Sequence, residues 1–232
     1  MVTNHKGNFP EVPVFVAYEG IDGAGKTTQT DLLRRTLGAR LIKFPVYSSP
    51  TGEIIQAMLR GEATLYAPHM PTDKLAHKDA ITLQALMVTN RLEVATDILG
   101  TLSRGSLVCD RYSASAMAYG VADGLDSGWL RRIHELLPMP DLYVLLDLPA
   151  SESFERRPER QDAYEANFTR IEFAAQNYRN LWTHAESYGA PLSWRKGHSR
   201  YLMLDARLPV QDLHERVVAE VRKVQNEVLM RA

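Results

Sequence analysis

Gly20, Gly23 and Gly25, followed at once by Lys26 and Thr27, are the residues of this chain whose types and spacing specify chemistry most directly. The stretch Gly20-Ile21-Asp22-Gly23-Ala24-Gly25-Lys26-Thr27 fits G-x-x-x-x-G-K-[ST], and Thr28 continues it. Glycines let a backbone wrap around phosphates, and amides at a helix N-terminus point at them. A lysine in this place reaches β- and γ-phosphates, and the hydroxyl after it ligates Mg²⁺. The spacing predicts a nucleoside triphosphate loop made by Gly20, Asp22, Gly23, Ala24, Gly25, Lys26, Thr27 and Thr28, with Thr27 as a metal ligand.

Two further groups carry charge of the right kind. Asp110 closes the apolar run Leu107-Val108-Cys109, where an acid at a strand end holds Mg²⁺ directly or through water. Arg111 follows it, and a guanidinium matches phosphate oxygens in a bidentate way. Between Pro149 and Ala163 the chain is densely charged and holds Arg156, Arg157 and Arg160 within five positions. Its few apolar anchors and Pro158 fit a mobile lid, over about 150–163, whose arginines neutralise charge on a transferred phosphoryl group.

The elements that must position these groups follow from apolar periodicity. Val14 to Tyr18 reads as a buried strand and Lys26 to Leu37 as a helix. Arg40 to Phe44 is a second strand, stopped by Pro45, which lacks the amide a ladder needs. Pro45 to Thr51 is a loop at that strand's end, and Gly52 to Leu59 a short helix. One long helix is expected from about Asp73 to Leu102, with Ala80, Leu83, Met87, Arg91, Val94 and Ile98 along one stripe. Arg91 is anomalous there, because a guanidinium on a buried face needs an acceptor or an anion. Small residues from Ser113 to Gly120 start a helix, and Ser127 caps another over 128–137. Leu142 to Leu148, the most apolar strand, is expected at the sheet's centre. Tyr164 to Tyr188 forms a long helix with Phe168, Ile171, Ala175, Tyr178 and Leu181 inward. A last strand, Tyr201 to Asp205, and a closing helix from Val210 complete an α/β fold with a parallel central sheet and helices on both faces.

Composition limits the partners. The chain has 232 residues, suited to one domain over 13–232 after a loose polar leader over 1–12. With 27 basic against 28 acidic side chains the net charge is −1, and no basic surplus points to nucleic acid or an anionic membrane. No apolar stretch has the length of a membrane span. The single Cys109 cannot form an intrachain disulfide, which fits a reducing, cytoplasmic setting. It lies in an apolar run and reads as a buried thiol rather than a nucleophile.

The order of motifs resembles the thymidylate kinases, within the P-loop nucleoside monophosphate kinases. The resemblance runs through Tyr18-Glu19-Gly20 to Gln29, Phe44-Pro45, Asn90-Arg91-Leu92-Glu93, Asp110-Arg111-Tyr112 to Gly120, Pro140-Asp141-Leu142 and Asp162-Ala163-Tyr164-Glu165. It implies ATP- and Mg²⁺-dependent phosphorylation of dTMP to dTDP. It also implies that Asp22 meets the acceptor's 3′-hydroxyl, Arg91 the pyrimidine edge and Arg111 the acceptor phosphate. Tyr119 would pack near the deoxyribose, and Tyr164 would close over the site. Phe44, Pro45, Tyr47, Met87 and Ser115 would complete the acceptor pocket. Gly23 stands where one branch of the family has a loop arginine, so this chain resembles the branch with its catalytic arginine in the lid. A homodimer built on the long helix is implied too, through a face offering Leu75, Ile81 and Val88.

Two positions depart from the family pattern. Met87 stands where an aromatic ring commonly stacks on the base, and Tyr47 where an arginine often clamps the acceptor phosphate. Both keep open a kinase for another or modified pyrimidine deoxynucleotide, or for a nucleoside. A reading of a different class is a non-catalytic regulator using its nucleotide loop as a switch. Such a protein has no need of Arg91, Arg111, Tyr119 and an arginine-rich lid together.

Overall fold

A computed structural model describes residues 12–62, 72–158, 167–183 and 199–231, with side chains of 72–78 and 231 left out. Five strands form its sheet: β1 (Phe15–Glu19), β2 (Arg40–Lys43), β3 (Leu107–Asp110), β4 (Leu142–Asp147) and β5 (Arg200–Asp205). Their spatial order is β2-β3-β1-β4-β5, and every pair is parallel. All five residues of β1 are buried, as a parallel strand covered on both faces requires. β1 therefore takes the middle of the sheet. The richer apolar run of β4 lies beside it, one place off the centre expected from composition. The strand order reverses around β1, which opens a crevice beyond the strands' carboxyl ends.

The helices that frame this crevice begin and end on local signals. α1 (Lys26–Leu37) starts at Gly25, whose φ of 89° only glycine takes without strain, and ends at Gly38. α2 (Pro50–Leu59) begins two residues earlier than its apolar pattern indicates. Ser49 caps it by accepting from the Gly52 amide, and Pro50 supplies the preset first turn. The long helix is two: α3 (Thr72–Glu93) and α4 (Ala95–Leu102), broken at Val94, whose amide bonds back only to the Arg91 carbonyl. The stripe survives the break, since Ala80, Leu83, Arg91 and Ile98 are all buried. Val88 belongs to the same core, so it is not on an outer face as the dimer expectation had it.

Next come α5 (Ser113–Ala122) and α6 (Ser127–His134). The cap of α6 is Asp126, accepting from the Trp129 amide at 2.7 Å, rather than Ser127. The charged stretch after β4 is not bare of anchors. Its first half is α7 (Ala150–Arg156), with Ala150 and Ser153 buried and Phe154 against the core. α8 (Phe168–Thr183) buries Ile171, Ala174, Ala175, Tyr178 and Trp182, while Phe168 is 43% exposed instead of inward. α9 (Val210–Arg231) closes the chain against α1, where the Gln29 amide donates to the Val210 carbonyl. The leader over 1–11, Arg160 and Tyr164 lie outside the described residues. Among the described residues no helix is long and apolar enough to cross a membrane.

Candidate active site

The loop between β1 and α1 has the predicted conformation. Gly20, Gly23 and Gly25 all take positive φ, and a Cβ on Gly20 would sit 2.5 Å from the Leu146 carbonyl oxygen. The loop is braced from behind by α7, whose Ser153 hydroxyl donates to the Asp22 carbonyl at 2.5 Å. Lys26 is buried; its Nζ donates to the Ile21 carbonyl at 2.9 Å and lies 3.9 Å from the Asp22 carboxylate. Burial and the charge of Arg111 pull the Lys26 amine down to about 8, against the upward pull of Asp22 and Asp110. Lys26 thus waits among carbonyls and carboxylates where phosphate oxygens would hold its charge.

The second group meets the first across the β1–β3 pair. Thr27 Oγ1 donates to Asp110 Oδ2 at 2.9 Å, so the hydroxyl and acid expected around a metal are adjacent. Arg111 has φ of 66°, rare for a residue with a side chain, and its amide donates to the Tyr18 carbonyl at 2.8 Å. This costs about 1–3 kcal/mol, held by the surrounding bonds. The conformation turns the guanidinium across the loop, where it donates to the Gly20 carbonyl at 3.0 Å and to Asp22 at 2.6 Å. Burial alone would raise the Asp22 carboxyl. The charges of Arg111 and Lys26 outweigh it and hold Asp22 well below the usual carboxylate range.

Behind Arg111 lies Glu19, which accepts from the Tyr112 amide at 2.9 Å and from the Ser115 hydroxyl at 2.5 Å. Full burial pushes its carboxyl up, opposed by the Ser115 bond and by Arg111 and Arg91. Glu19 ties the first residues of α5 to the end of β1, which fixes Arg111 and Ser115 relative to the loop.

The third group is the Phe44-Pro45 loop, joined by a cis peptide bond. Asn90 holds it from α3, accepting from the Val46 amide at 2.8 Å and donating to Ser49 at 2.9 Å. The neighbouring Arg91 is 2% exposed and donates to the carbonyls of Met87 and Tyr112 at 2.6 and 2.7 Å. Its guanidinium also lies 5.4 Å from the Phe44 ring centroid, a cation–π distance. These contacts answer the anomaly of an arginine on the buried stripe.

Two cavities meet at these groups. A wide one of about 600 Å³ is lined by Asp22, Gly23, the run from Gly25 to Thr28, Lys43, Asp110, Arg156 and Arg157. A narrow one of about 120 Å³ runs between α3, α5 and α8, lined by Met87, Arg91, Ser115 and Tyr119 among others. Asp22, Phe44, Pro45, Tyr47 and Arg111 line both. The wide and the narrow cavity therefore share a wall whose charged members are the Asp22 carboxylate and the Arg111 guanidinium.

With this geometry in place, the sequence model of the thymidylate kinase family matches residues 18–217. The chain belongs to the thymidylate kinase family. It is 35% identical over 223 residues to the thymidylate kinase of Thermomicrobium roseum, covering 90% of this chain and 95% of that one. To the thymidylate kinase of Dictyostelium discoideum it is 30% identical over 159 residues, 66% of either chain. Its fold is similar to that of thymidylate kinase from Candida albicans, with a TM-score of 0.70 at 22% identity, covering 92% of this chain and 93% of that structure. The protein is an enzyme of the nucleoside monophosphate kinase class, and the regulator reading is set aside.

Most of the expected site residues converge. Asp22, Lys26, Thr27, Phe44, Pro45, Tyr47, Met87, Arg91, Asp110, Arg111, Ser115, Tyr119, Arg156 and Arg157 all line one cavity or the other. Arg156 also donates to the carbonyls of Gly23 and Ala206 at 3.3 and 3.2 Å, bridging the loop and the end of β5. The sequence reading missed Leu59, Leu83, Gln84, Ala116, Arg170 and Ile171 in the narrow cavity. Gln84 and Leu83 had a signal, since they sit one turn before Met87 on the same helix. Arg170 had none. It grips Asp123 through two bonds of 2.5 and 2.8 Å and lies 4.9 Å from the Tyr119 ring, with Arg111 at 5.5 Å from that ring.

Proposed function

We propose that the enzyme transfers the γ-phosphoryl group of ATP to dTMP, forming dTDP and ADP. The supporting observation is the wall shared by the two cavities, where Asp22 and Arg111 pair at 2.6 Å. ATP would lie in the wide cavity with its phosphates on the loop amides and Lys26, and dTMP in the narrow one with its phosphate at Arg111. A 5′-phosphate oxygen of dTMP then forms a bond to the γ-phosphorus as the bond to the leaving ADP oxygen breaks. No covalent bond to the protein is needed, so the work of the side chains is positioning and neutralisation. Lys26, Arg111 and the arginines at 156, 157 and 160 are the cations assigned to it.

Thr27 and Asp110 would hold Mg²⁺. Two adjacent oxygen donors suit a hard cation that keeps water and phosphate as its other ligands. When bound, it supplies charge neutralisation at the β- and γ-phosphates. Asp22 would take the acceptor's 3′-hydroxyl, and Tyr119 would crowd a 2′-hydroxyl. Tyr164 would cover the acceptor. Met87, an unbranched and polarizable side chain, replaces ring stacking on the base with softer contact. That substitution favours testing modified pyrimidines alongside dTMP.

A homodimer through α3 remains our assignment, carried by Ile81 and Leu92, which are 37% and 38% exposed on that helix. The buried free thiol of Cys109 accords with a cytoplasmic setting. The deciding experiment measures ADP release with dTMP, dUMP, dCMP, dGMP and AMP. A preference for dTMP is expected, and equal or faster turnover of another monophosphate would refute the assignment. A sedimentation coefficient of a monomer would refute the dimer.

A further inference from the structure

Two buried polar groups that α3 contributes to the wall of the narrow cavity have no hydrogen-bond partner among the described residues, and neither has the Tyr119 hydroxyl from α5 on the same cavity. One is the side-chain carbonyl of Gln84, a residue 2% exposed. The other is Nε of Arg91, whose two terminal nitrogens are already engaged by the Met87 and Tyr112 carbonyls. A buried polar group left unmade carries its full desolvation penalty, so a pair of them on one cavity points to a missing partner. Gln84, Met87 and Arg91 follow one another at spacings of three and four in α3, and such residues share a helix face. All three residues line the cavity.

We infer that Gln84 is a base-reading residue that works beside Arg91. This rests on the acceptor being a thymine nucleotide in the narrow cavity. Thymine presents, side by side on one edge, the O4 carbonyl and the N3–H. Arginine is donor-only and meets O4. The Gln84 carbonyl accepts from N3–H. Cytosine offers an amino group where thymine has O4, and Arg91 cannot accept from it. Arg91 therefore rejects the amino base, while Gln84 takes up N3–H and sets how deep the ring sits. Met87, between them in sequence, supplies apolar contact to the ring face. Among the described residues no other side chain holds the Gln84 amide, so it can turn about its last torsion to present oxygen to the base.

The test pairs two variants with two substrates. Gln84→Met keeps the length of the side chain and removes the acceptor. It is expected to lose about 10-fold in kcat/KM for dTMP, equivalent to about 1.4 kcal/mol. Gln84→Ala loses the same bond and opens space beside N3. Wild-type enzyme is expected to turn over N3-methyl-dTMP at least about 100-fold less well than dTMP. Gln84→Ala reverses most of that deficit, while Gln84→Met does not. A role in packing alone predicts variants that melt lower but keep the wild-type ratio between the two substrates. Wild-type turnover of N3-methyl-dTMP equal to that of dTMP overturns the inference without any variant. So does a Gln84→Met enzyme within 2-fold of wild type on dTMP, or a Gln84→Ala enzyme with no gain on the methylated substrate. Failure of the wild-type enzyme to phosphorylate dTMP at all overturns the acceptor assignment and this inference together, a result distinct from the others.

Discussion

Asp22→Asn isolates the charge arrangement on which the site depends. Asp22 and Arg111 are 14% and 18% exposed and meet at 2.6 Å, and Lys26 lies 3.9 Å from the same carboxylate oxygen. The amide keeps the shape and removes the anion, leaving two cations facing each other. Removing one partner of a buried ion pair costs about 3–5 kcal/mol. Here Arg111 keeps the Gly20 carbonyl and Lys26 the Ile21 carbonyl, and some water reaches the pair, so we expect about 2–3 kcal/mol. For a chain of this size each kcal/mol moves the melting temperature by about 2–4 °C, which gives a fall of about 4–12 °C. A bound phosphate anion replaces the lost charge. Melting in pyrophosphate, against chloride at matched ionic strength, should close more than half of the gap between variant and wild type. An equal gap in both salts would show that Asp22 does not stand in for phosphate. No gap in chloride would show that the pair contributes nothing to the unliganded fold.

Other outcomes follow from the same geometry. Lys26 is held at about 8 against an ordinary 10.5, so kcat/KM for ATP should fall above about pH 8 as the free enzyme loses that proton. Between 8 and 10.5 the unfolded chain binds more protons than the folded one, so this group favours folding more as pH rises, while activity declines. Lys26→Arg should move the basic limb out of range, and a wild-type profile flat to pH 9.5 would contradict the assignment. A Cβ on Gly52 would lie 1.9 Å from the Val46 carbonyl oxygen, so Gly52→Ala should displace the Phe44-Pro45 loop at a cost of about 1–3 kcal/mol and raise KM for dTMP. An unchanged KM and melting temperature would count against that packing. Among Arg156→Ala, Arg157→Ala and Arg160→Ala, at least one should lower kcat by about 10³ with little change in KM. Three mild variants would remove the lid arginines from the chemistry.

The nucleotide loop was legible in the sequence because its chemistry is local. A short strand, three glycines at fixed spacing and a helix start are contiguous, so Gly20, Gly23, Gly25, Lys26 and Thr27 could be placed without knowing the rest of the fold. Asp110 and Arg111 were legible for a similar reason, as polar residues at the end of an apolar strand. Arg91 announced itself by breaking the apolar stripe.

What tertiary structure decided are the pairings between residues far apart in the chain. Nothing in the sequence sets Arg111 against Asp22 across 89 positions, or Glu19 beneath Ser115 across 96. The left-handed backbone of Arg111 aims that guanidinium, and the parallel pairing of β1 with β3 brings it within reach. Tertiary contacts also overrode local patterns. Phe154 anchors the start of a stretch whose composition reads as a mobile lid with few apolar anchors, and Val88 turns into the core. Gln84 shows the division most clearly. The sequence reading left it off the stripe although it lies one turn before Met87, and its carbonyl, unpartnered among the described residues, comes to line a cavity only once α3, α5 and α8 surround it. Periodicity says which side of a helix faces inward, and packing alone says whether that side meets core or substrate.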